Sequence, residues 1–297
     1  MATTPAALPT DTIQYPALVQ AAENASNSGQ RWYVSLIRAD VALIIAGALA
    51  GALSSFGSTA WRQTTAVISA VTLGTGATMR WVNRSRRPNR TWFDGRAVAE
   101  SIKGNSWRYM MRTEPFTGPD AQADARFIAD LDDILEARSD LSIGGVQPGT
   151  GQITQSMRHV RTEPFDARRA TYISNRLSDQ IAWYSDRATY HQRRAGLYFA
   201  GGLLAELLAL TWAIFRIAAP SPLNLIGVLT SIAAAATALS QLHSHDELGR
   251  RYGFAAHELD SILTLAETSD EKTFPGRVRE AESAISREHT MWIAKRS

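Results

Sequence analysis

Cysteine is absent from this chain of 297 residues, and lysine is scarce. The absence of cysteine excludes a disulfide scaffold, a thiol nucleophile and any thiolate site for zinc or an iron–sulfur cluster. Of the 31 basic residues only Lys103, Lys272 and Lys295 are lysine, and the net charge is +3. Such a small excess does not predict binding to nucleic acid, and we expect no nucleic-acid partner.

Charged residues make up only 20% of the chain and apolar residues 45%, a composition too apolar for a disordered protein. The mean hydropathy of −0.16 nevertheless requires most of the chain to contact water. This balance excludes a transporter with ten or twelve spans, because such a protein would place most of its residues in lipid.

Charge is missing from long stretches of the chain, which is the first sign of membrane segments. Four stretches carry at most one charged residue: 41–61, 63–79, 195–215 and 217–245. They form two pairs with short connectors, residues 57–63 and 217–222, and the second connector contains two prolines. We therefore predict an all-α, integral membrane fold with two transmembrane helical hairpins and long cytoplasmic helical extensions.

Arginine is concentrated at one end of each predicted hairpin. The residues concerned are Arg80, Arg84, Arg86, Arg87, Arg90 and Arg96 after the second stretch, Arg187, Arg193 and Arg194 before the third, and Arg250 and Arg251 after the fourth. The connectors at the opposite ends have one arginine each, Arg62 and Arg216. This asymmetry predicts a multi-pass protein of the inner membrane with both termini in the cytoplasm.

The same arginines are also expected to contact lipid. Six of them are predicted to contact lipid headgroups and set the topology: Arg84, Arg86, Arg87, Arg90, Arg193 and Arg194.

The alternative to a membrane protein is a soluble bundle with four buried helices, because residues 41–56 are short for a span and residues 63–79 are only mildly hydrophobic. A soluble bundle gives no reason for the sorting of arginine, so the membrane interpretation is favoured.

Polar side chains inside the predicted spans are candidates for a pore lining. Glu206 lies in the middle of the third span, where a carboxylate is costly unless it is paired, hydrated or protonated, so it either lines a pore or bonds to a neighbouring helix. Two stripes of small polar residues fit either a water-filled lumen or helix packing: Thr65, Ser69 and Thr72, and Thr230, Thr237 and Gln241. Gly47, Gly51 and Gly201 are predicted to permit close helix packing.

No set of catalytic residues can be assembled from the chain. The six histidines lack a partnered nucleophile, and no pair of carboxylates indicates acid–base catalysis. His243 and His245 are two positions apart on a predicted helix, so they point to different sides and cannot share one metal ion. We therefore expect no enzymatic activity, no cofactor and no metal site.

Outside the spans the sequence predicts two helical units joined by a linker. The expected division is a disordered N-terminus over residues 1–14, a first two-transmembrane unit over 15–141, a linker over 142–155 and a second unit over 156–297. Apolar residues recur at helical spacing in residues 127–135, and Pro119 and Asp120 suit the first turn of that helix.

The second unit is predicted to contain long helices. Asp166 can cap a helix that runs without a breaker into the third span, and the fourth span is predicted to continue to about Leu263. Residues 274–276, Phe-Pro-Gly, are predicted to break that helix, and a last helix is expected over about 277–294.

One short motif occurs twice. Arg-Thr-Glu-Pro-Phe stands at residues 112–116 and again at residues 161–165. Proline placement favours a turn that starts a helix in each copy, and a docking site shared by the two copies is the alternative.

Two stretches of the second unit resemble a known family. These are residues 158–184, RHVRTEPFDARRATYISNRLSDQIAWY, and residues 281–296, AESAISREHTMWIAKR. Both resemble the SLATT family, two-transmembrane domains that associate with SMODS nucleotidyltransferases and SLOG proteins in bacteria. The N-terminal half, with Tyr15-Pro16-Ala17-Leu18 and Arg108-Tyr109, resembles a second SLATT type, so the resemblance implies two fused units over about residues 15–296.

The family resemblance also implies a function. SLATT domains are proposed effectors of prokaryotic conflict systems, which perforate the membrane when a nucleotide-signalling or sensor partner triggers them. For this chain we expect a pore-forming or membrane-perforating effector that acts as a homo-oligomer in the bilayer, downstream of a nucleotide-synthesising or sensor protein. The alternative is a membrane-anchored scaffold or sensor whose cytoplasmic helices bind a partner protein.

Overall fold

The computed structural model describes residues 13–55, 57–141, 143–144, 151–219 and 225–294. Within these ranges every regular element is helical, which confirms the predicted all-α class. Residues 1–12 of the predicted N-terminal segment and residues 142 and 145–150 of the predicted linker lie outside the described ranges, as do residues 220–224 near the second connector.

Helices follow one another along the whole described chain. They are α1 (Ala17–Leu53), α2 (Thr59–Arg86), α3 (Pro88–Met110), α4 (Asp120–Glu136), α5 (Gln155–Thr162), α6 (Phe165–Tyr172), a π-helical turn (Ile173–Ser178), α7 (Asp179–Ala218), α8 (Ile226–His243), α9 (His245–Glu267) and α10 (Phe274–Ala294). The helix predicted over residues 127–135 is α4, and it starts at Asp120 as expected.

The chain forms two compact units that do not follow its two sequence halves. One, called here the polar unit, comprises Met1–Gln30, Asn89–Ala188 and Arg251–Ser297, and the other, the apolar unit, comprises Arg31–Pro88 and Thr189–Arg250. All four charge-poor stretches fall within the apolar unit. The division therefore places the charge-poor stretches in one unit and the more polar stretches in the other. The predicted linker over residues 142–155 stays a prediction.

In the polar unit, the start of α1 packs closely on α3 because a glycine stands at the crossing. A Cβ at Gly95 would lie 2.8 Å from the backbone nitrogen of Ser26 and 2.9 Å from the carbonyl oxygen of Ala22, so only glycine fits there. The Ser26 hydroxyl donates to the Trp92 carbonyl oxygen at 2.9 Å, and Lys103 forms an ion pair with Glu23 at 2.5 Å. These contacts hold the two helices together.

Aromatic rings fill the core of the polar unit. The Trp107 ring meets Tyr172 edge-on at 5.5 Å, and Tyr172 meets Phe274 edge-on at 5.9 Å, so α3, α6 and α10 share one cluster. The Trp107 indole N–H donates to the Tyr15 hydroxyl at 2.8 Å, which satisfies a polar atom that burial would otherwise leave without a partner. Edge-on geometry is the arrangement that ring quadrupoles favour.

A buried ion pair joins the π-helical turn to α10. Arg176 and Glu282 have side chains only 3% and 2% exposed, and two nitrogens of the guanidinium donate to the two carboxylate oxygens at 3.0 and 2.8 Å. The Tyr172 hydroxyl donates to the same carboxylate at 3.0 Å. This bidentate geometry offsets the loss of hydration that burial imposes on both charges.

The two copies of the repeated motif lie at helix boundaries and contact each other. The first copy follows α3 and the second spans the junction of α5 and α6. Nε of Arg112 donates to the Arg161 carbonyl oxygen at 3.0 Å, and Nε of Arg161 donates to Asp120 at 2.9 Å. The hydrogen bond from Arg161 holds the pKa of the Asp120 carboxyl below its ordinary value.

The Arg161 side chain makes several contacts at this junction. Its guanidinium also donates to the carbonyl oxygens of Tyr109 at 2.6 Å and Gly118 at 3.1 Å, and it lies 4.7 Å from the centre of the Tyr109 ring. Burial, assisted by a hydrogen bond to Asp124, raises the pKa of the Tyr109 hydroxyl. In the second copy Pro164 is the N-cap of α6, as proline placement predicts, whereas after the first copy the next helix starts only at Asp120, with Pro119 as its N-cap. The contact between the two copies is visible only in the tertiary structure.

The long helices run largely as predicted, with two corrections. The helix expected from Asp166 spans Phe165–Ala218 without interruption, but Pro164 occupies the N-cap position and Asp166 lies in the first turn. The predicted break and the last helix are confirmed, but the break lies at residues 268–273 and not at 274–276, because α9 ends at Glu267 and α10 starts at Phe274. Proline is tolerated in a first turn, where its missing N–H has no helical partner, so Pro275 starts the helix instead of ending it.

Removal of Glu282 should destabilise the polar unit strongly. Glu282→Ala leaves the Arg176 guanidinium buried without a counter-ion, and we expect a loss of about 3–5 kcal/mol in the free energy of unfolding. Chemical unfolding of the detergent-solubilised protein, followed by circular dichroism, measures this loss.

Two further variants make the measurement specific to the buried pair. Glu280→Ala removes the exposed partner of Arg277 and should change stability by at most about 1 kcal/mol. Replacing both buried partners, Arg176→Met with Glu282→Leu, should recover part of the loss, because no charge is left unpaired. Equal losses for Glu282→Ala and Glu280→Ala would contradict the role given to the buried pair.

Candidate functional site

Three described helices are long and apolar enough to cross a membrane. They are α1 (Ala17–Leu53), the continuous run from α6 to α7 (Phe165–Ala218) and the run of α8 and α9 (Ile226–Glu267). In their most apolar 18-residue stretches only 11%, 17% and 12% of the residues are buried inside the protein. These helices therefore do not form the dry core of a soluble bundle within one chain, and their surface requires lipid or another protein.

The second predicted span, carried by α2, does not reach the same apolar content. Threonine, glycine and glutamine dilute its valine and isoleucine residues over 63–79. Three of its threonine hydroxyls are nevertheless satisfied within the helix, since Thr64, Thr75 and Thr78 donate to carbonyl oxygens four residues earlier. Membrane crossing by α2, and with it the arrangement as two hairpins, stays a prediction.

Large apolar side chains cover the outside of α7. Phe199 is 72% exposed and Leu204 is 58% exposed, and the same surface includes Leu197, Leu203, Leu207, Leu208, Leu210, Ile214 and Phe215. Scattered apolar residues are normal on a protein surface, but a continuous apolar face marks a region that contacts lipid or protein.

Glu206 lies exposed within this apolar surface of α7. In the described ranges no hydrogen bond or ion pair reaches its carboxylate. Arg216 is ten residues further along the same helix, about 15 Å by helical rise, so these two side chains of one chain do not meet. The carboxylate is therefore presented outward.

The first polar stripe faces α1. The Ser69 hydroxyl donates to the Gly47 carbonyl oxygen at 3.0 Å, and Thr65 is buried. The Thr72 hydroxyl donates to the carbonyl oxygens of Ile68 at 3.0 Å and Ser69 at 2.9 Å within its own helix. Of the two interpretations, these contacts fit helix packing within the chain, and a pore-lining role for the three residues stays a prediction.

The predicted packing glycines have different surroundings. A Cβ at Gly47 would lie 2.9 Å from the Thr72 hydroxyl oxygen, and one at Gly51 would lie 3.8 Å from the Ser69 hydroxyl oxygen, so both adjoin α2. At Gly201 a Cβ would meet no atom within 4 Å, and the neighbouring Gly202 makes the contact with α8, 3.6 Å from the Ala236 Cβ. Packing by Gly201 stays a prediction that requires a second chain.

The second polar stripe faces outward. Thr230, Thr237 and Gln241 are exposed on α8. The two threonine hydroxyls donate to the carbonyl oxygens of Ile226 at 2.8 Å and Ala233 at 3.1 Å, which leaves their methyl groups as the outer surface. Unlike the α2 stripe, this one is available to another chain, to lipid or to water.

The six arginines predicted at the membrane surface are all exposed. Arg84, Arg86, Arg87, Arg193 and Arg194 are all exposed, and Arg87 ends α2 in the left-handed conformation. Arg90 forms ion pairs with Asp94 at 3.6 Å and Asp140 at 3.0 Å in the polar unit. In the apolar unit Arg80 on α2 forms an ion pair with Asp40 on α1 at 2.7 Å, and this pair joins the two helices at their arginine-rich end.

Sequence reasoning missed two polar contacts between helices, one buried and one partly buried. Arg176 and Glu282 lie in the two stretches that carry the family resemblance, and their position in both stretches was the available signal. The second contact joins His191 on α7 to His245 on α9, with the Nδ1 atoms 2.8 Å apart. The residues that the structure describes contain no group of three or more side chains able to hold a metal ion, and the His243 side chain is outside that description.

The exposed apolar helices, together with the helical polar unit, are the features of a helical membrane protein. Residues 16–169 match SMODS and SLOG-associating 2TM effector domain 3, and residues 172–292 match SMODS and SLOG-associating 2TM effector domain 1. The chain therefore belongs to the SLATT family and contains two fused SLATT units. Comparison with curated proteins and with solved structures finds no match.

Packing of α1 against α2 should be sensitive to the side chain at position 47. Gly47→Leu places atoms where Thr72 and Leu73 already lie, and we expect a loss of about 1–3 kcal/mol from overpacking. Gly74→Leu is the matched control on α2, because a Cβ there meets nothing within 4 Å. Thermal unfolding in detergent compares the two, and an equal effect of both substitutions would contradict this packing register.

Proposed function

We propose that the chain is an effector that oligomerises in the inner membrane and opens or disrupts it when a partner protein triggers it. The observation that carries the proposal is the outward-facing carboxylate of Glu206 on the apolar face of α7. A carboxylate that faces lipid is costly, so a neighbouring chain or a water-filled path must surround it. Oligomerisation around a lumen supplies both.

The number of spans supports a homo-oligomer. Four spans per chain at most are too few to enclose a broad pore, so several copies must contribute walls. The outward-facing Thr230, Thr237 and Gln241 of α8 are the proposed lining beside Glu206, and Thr65, Ser69 and Thr72 are assigned to packing against α1. Gly201, open in the single chain, is then free to adjoin a second copy.

The arginine asymmetry supports the proposed orientation. Arg84, Arg86, Arg87, Arg193 and Arg194 are exposed and free to lie among anionic headgroups on the cytoplasmic side. Both termini and the polar unit are then cytoplasmic. The polar unit is the proposed receiver of the trigger, which we infer comes from a nucleotide-synthesising or sensor protein, since the family is described as SMODS and SLOG-associating.

Glu206→Gln tests the proposal directly. The substitution removes the charge while it keeps the size, so we expect altered ion selectivity and reduced toxicity on induction, with unchanged amounts of protein in the membrane. Membrane depolarisation in cells and ion flux from liposomes that contain the purified chain are the measurements. Glu267→Gln, at an exposed position at the end of α9, is the control and should behave as the wild type.

The outcome separates an effector from a scaffold. A membrane-anchored scaffold would leave the membrane potential intact and would keep its function when unrelated spans replace its own. An intact potential on full induction with the partner present would therefore overturn the proposal, and unchanged selectivity of Glu206→Gln would remove Glu206 from the lining.

A further inference from the structure

Two histidines from different helices meet at the bend between α8 and α9. Nδ1 of His191 on α7 and Nδ1 of His245 on α9 are 2.8 Å apart, and the ring centres are 4.9 Å apart. His245 is only 5% exposed. At this separation the two nitrogens share a hydrogen bond, so one carries a proton and the other offers its lone pair.

The pair lies at the start of a helix whose direction is set by one unusual residue. Ser244 separates α8 from α9 with φ +48°, a left-handed conformation that is uncommon for a residue other than glycine. His245 is the first residue of α9, and its ring stacks on Tyr198 of α7 at 5.6 Å. Contacts to α7 therefore hold the residue directly after the bend.

The chemistry of the pair limits how many protons it can hold. A neutral pair has one Nδ1 proton between the rings, and one added proton makes that hydrogen bond charge-assisted and stronger. A second added proton puts an N–H on both facing nitrogens and two positive charges at hydrogen-bond distance. The contact between the rings then cannot persist.

Charged and titratable neighbours act on this second step. On α7, the Arg194 guanidinium lies 5.5 Å from the centre of the Tyr190 ring, which is itself 5.3 Å from the His191 ring, so its charge opposes further protonation. Tyr198 is the second hydroxyl-bearing ring there. On α9, Asp246 and Glu247 follow His245 directly in the chain and are the acidic residues of the first turn of that helix.

We propose that His191 and His245 form a proton-operated latch, which holds the α8–α9 bend against α7 when at most one extra proton is bound and releases it when both rings are protonated. The ligand of this site is the proton. The proposal does not depend on pore formation, since a scaffold could carry the same latch.

Distance measurement between spin labels tests the latch in the full chain. Because the protein lacks cysteine, Leu197→Cys and Arg250→Cys place labels only on exposed positions of α7 and α9 within the apolar unit. In lipid nanodiscs we expect the distance distribution to shift reversibly as the pH is lowered from about 8 to about 4, a range that extends below that of a single imidazole because the second proton is added against the charge of the first. An unchanged distribution would overturn the proposal.

Histidine variants assign the shift to the pair. His191→Asn and His245→Asn keep a hydrogen-bonding group that cannot titrate, and both should lose the shift. The control His257→Gln, at an exposed position on α9, should keep it. A shift that persists in both asparagine variants, or that disappears in EDTA because a metal ion had joined the rings, would overturn the latch.

A measurement on the unsubstituted chain tests the pair without requiring the histidine variants to fold. Nitrogen-15 NMR of the histidine-labelled protein should show two separated protonation steps for the coupled pair. A single common step for all histidines would contradict the shared hydrogen bond.

Discussion

Apolar surface that the chain cannot cover with its own residues is the constraint on which the rest of the structure depends. In three helices fewer than one residue in five of the most apolar stretch is buried inside the protein. Such surface is removed from water only by lipid or by other chains. A bilayer also requires every backbone polar group to be satisfied inside the protein. These helices meet that requirement because their backbone groups bond within each helix, and the Thr211 and Thr230 hydroxyls bond back to the preceding turn.

Charge is treated in opposite ways in the two units. In the polar unit, Arg176 and Glu282 are buried together in a bidentate contact, and the Tyr172 hydroxyl also donates to the Glu282 carboxylate. In the apolar unit, Glu206 faces outward within a surface of leucine, where its own chain offers no partner in the described ranges. A satisfied buried pair serves the fold of one chain, whereas an outward carboxylate requires surroundings that one chain does not supply.

Much of the fold was predictable because the spacing of apolar residues and the positions of charged residues indicate, for each helix separately, which residues avoid water. The continuous helix into the third span and the start of α4 at Asp120 are confirmed. The break predicted at Phe274-Pro275-Gly276 lies instead at residues 268–273, because a proline can end one helix or start the next and the sequence signal is the same. The two small-polar stripes had the same spacing, yet Ser69 faces α1 and Thr230 faces outward, since spacing gives a face but not its neighbour.

The sequence by itself determined the all-helical class and the resemblance to the SLATT family, and it predicted four spans, three of which lie in helices long and apolar enough to cross a membrane. These follow from local composition, from the absence of charge over about twenty residues, and from motifs that are contiguous in the chain. Only the tertiary structure decided that Arg176 meets Glu282, that Arg112 bonds to the second copy of its own motif, and that His191 faces His245. These contacts join residues far apart in the chain, and the packing of side chains between helices, which no local pattern encodes, brings them together.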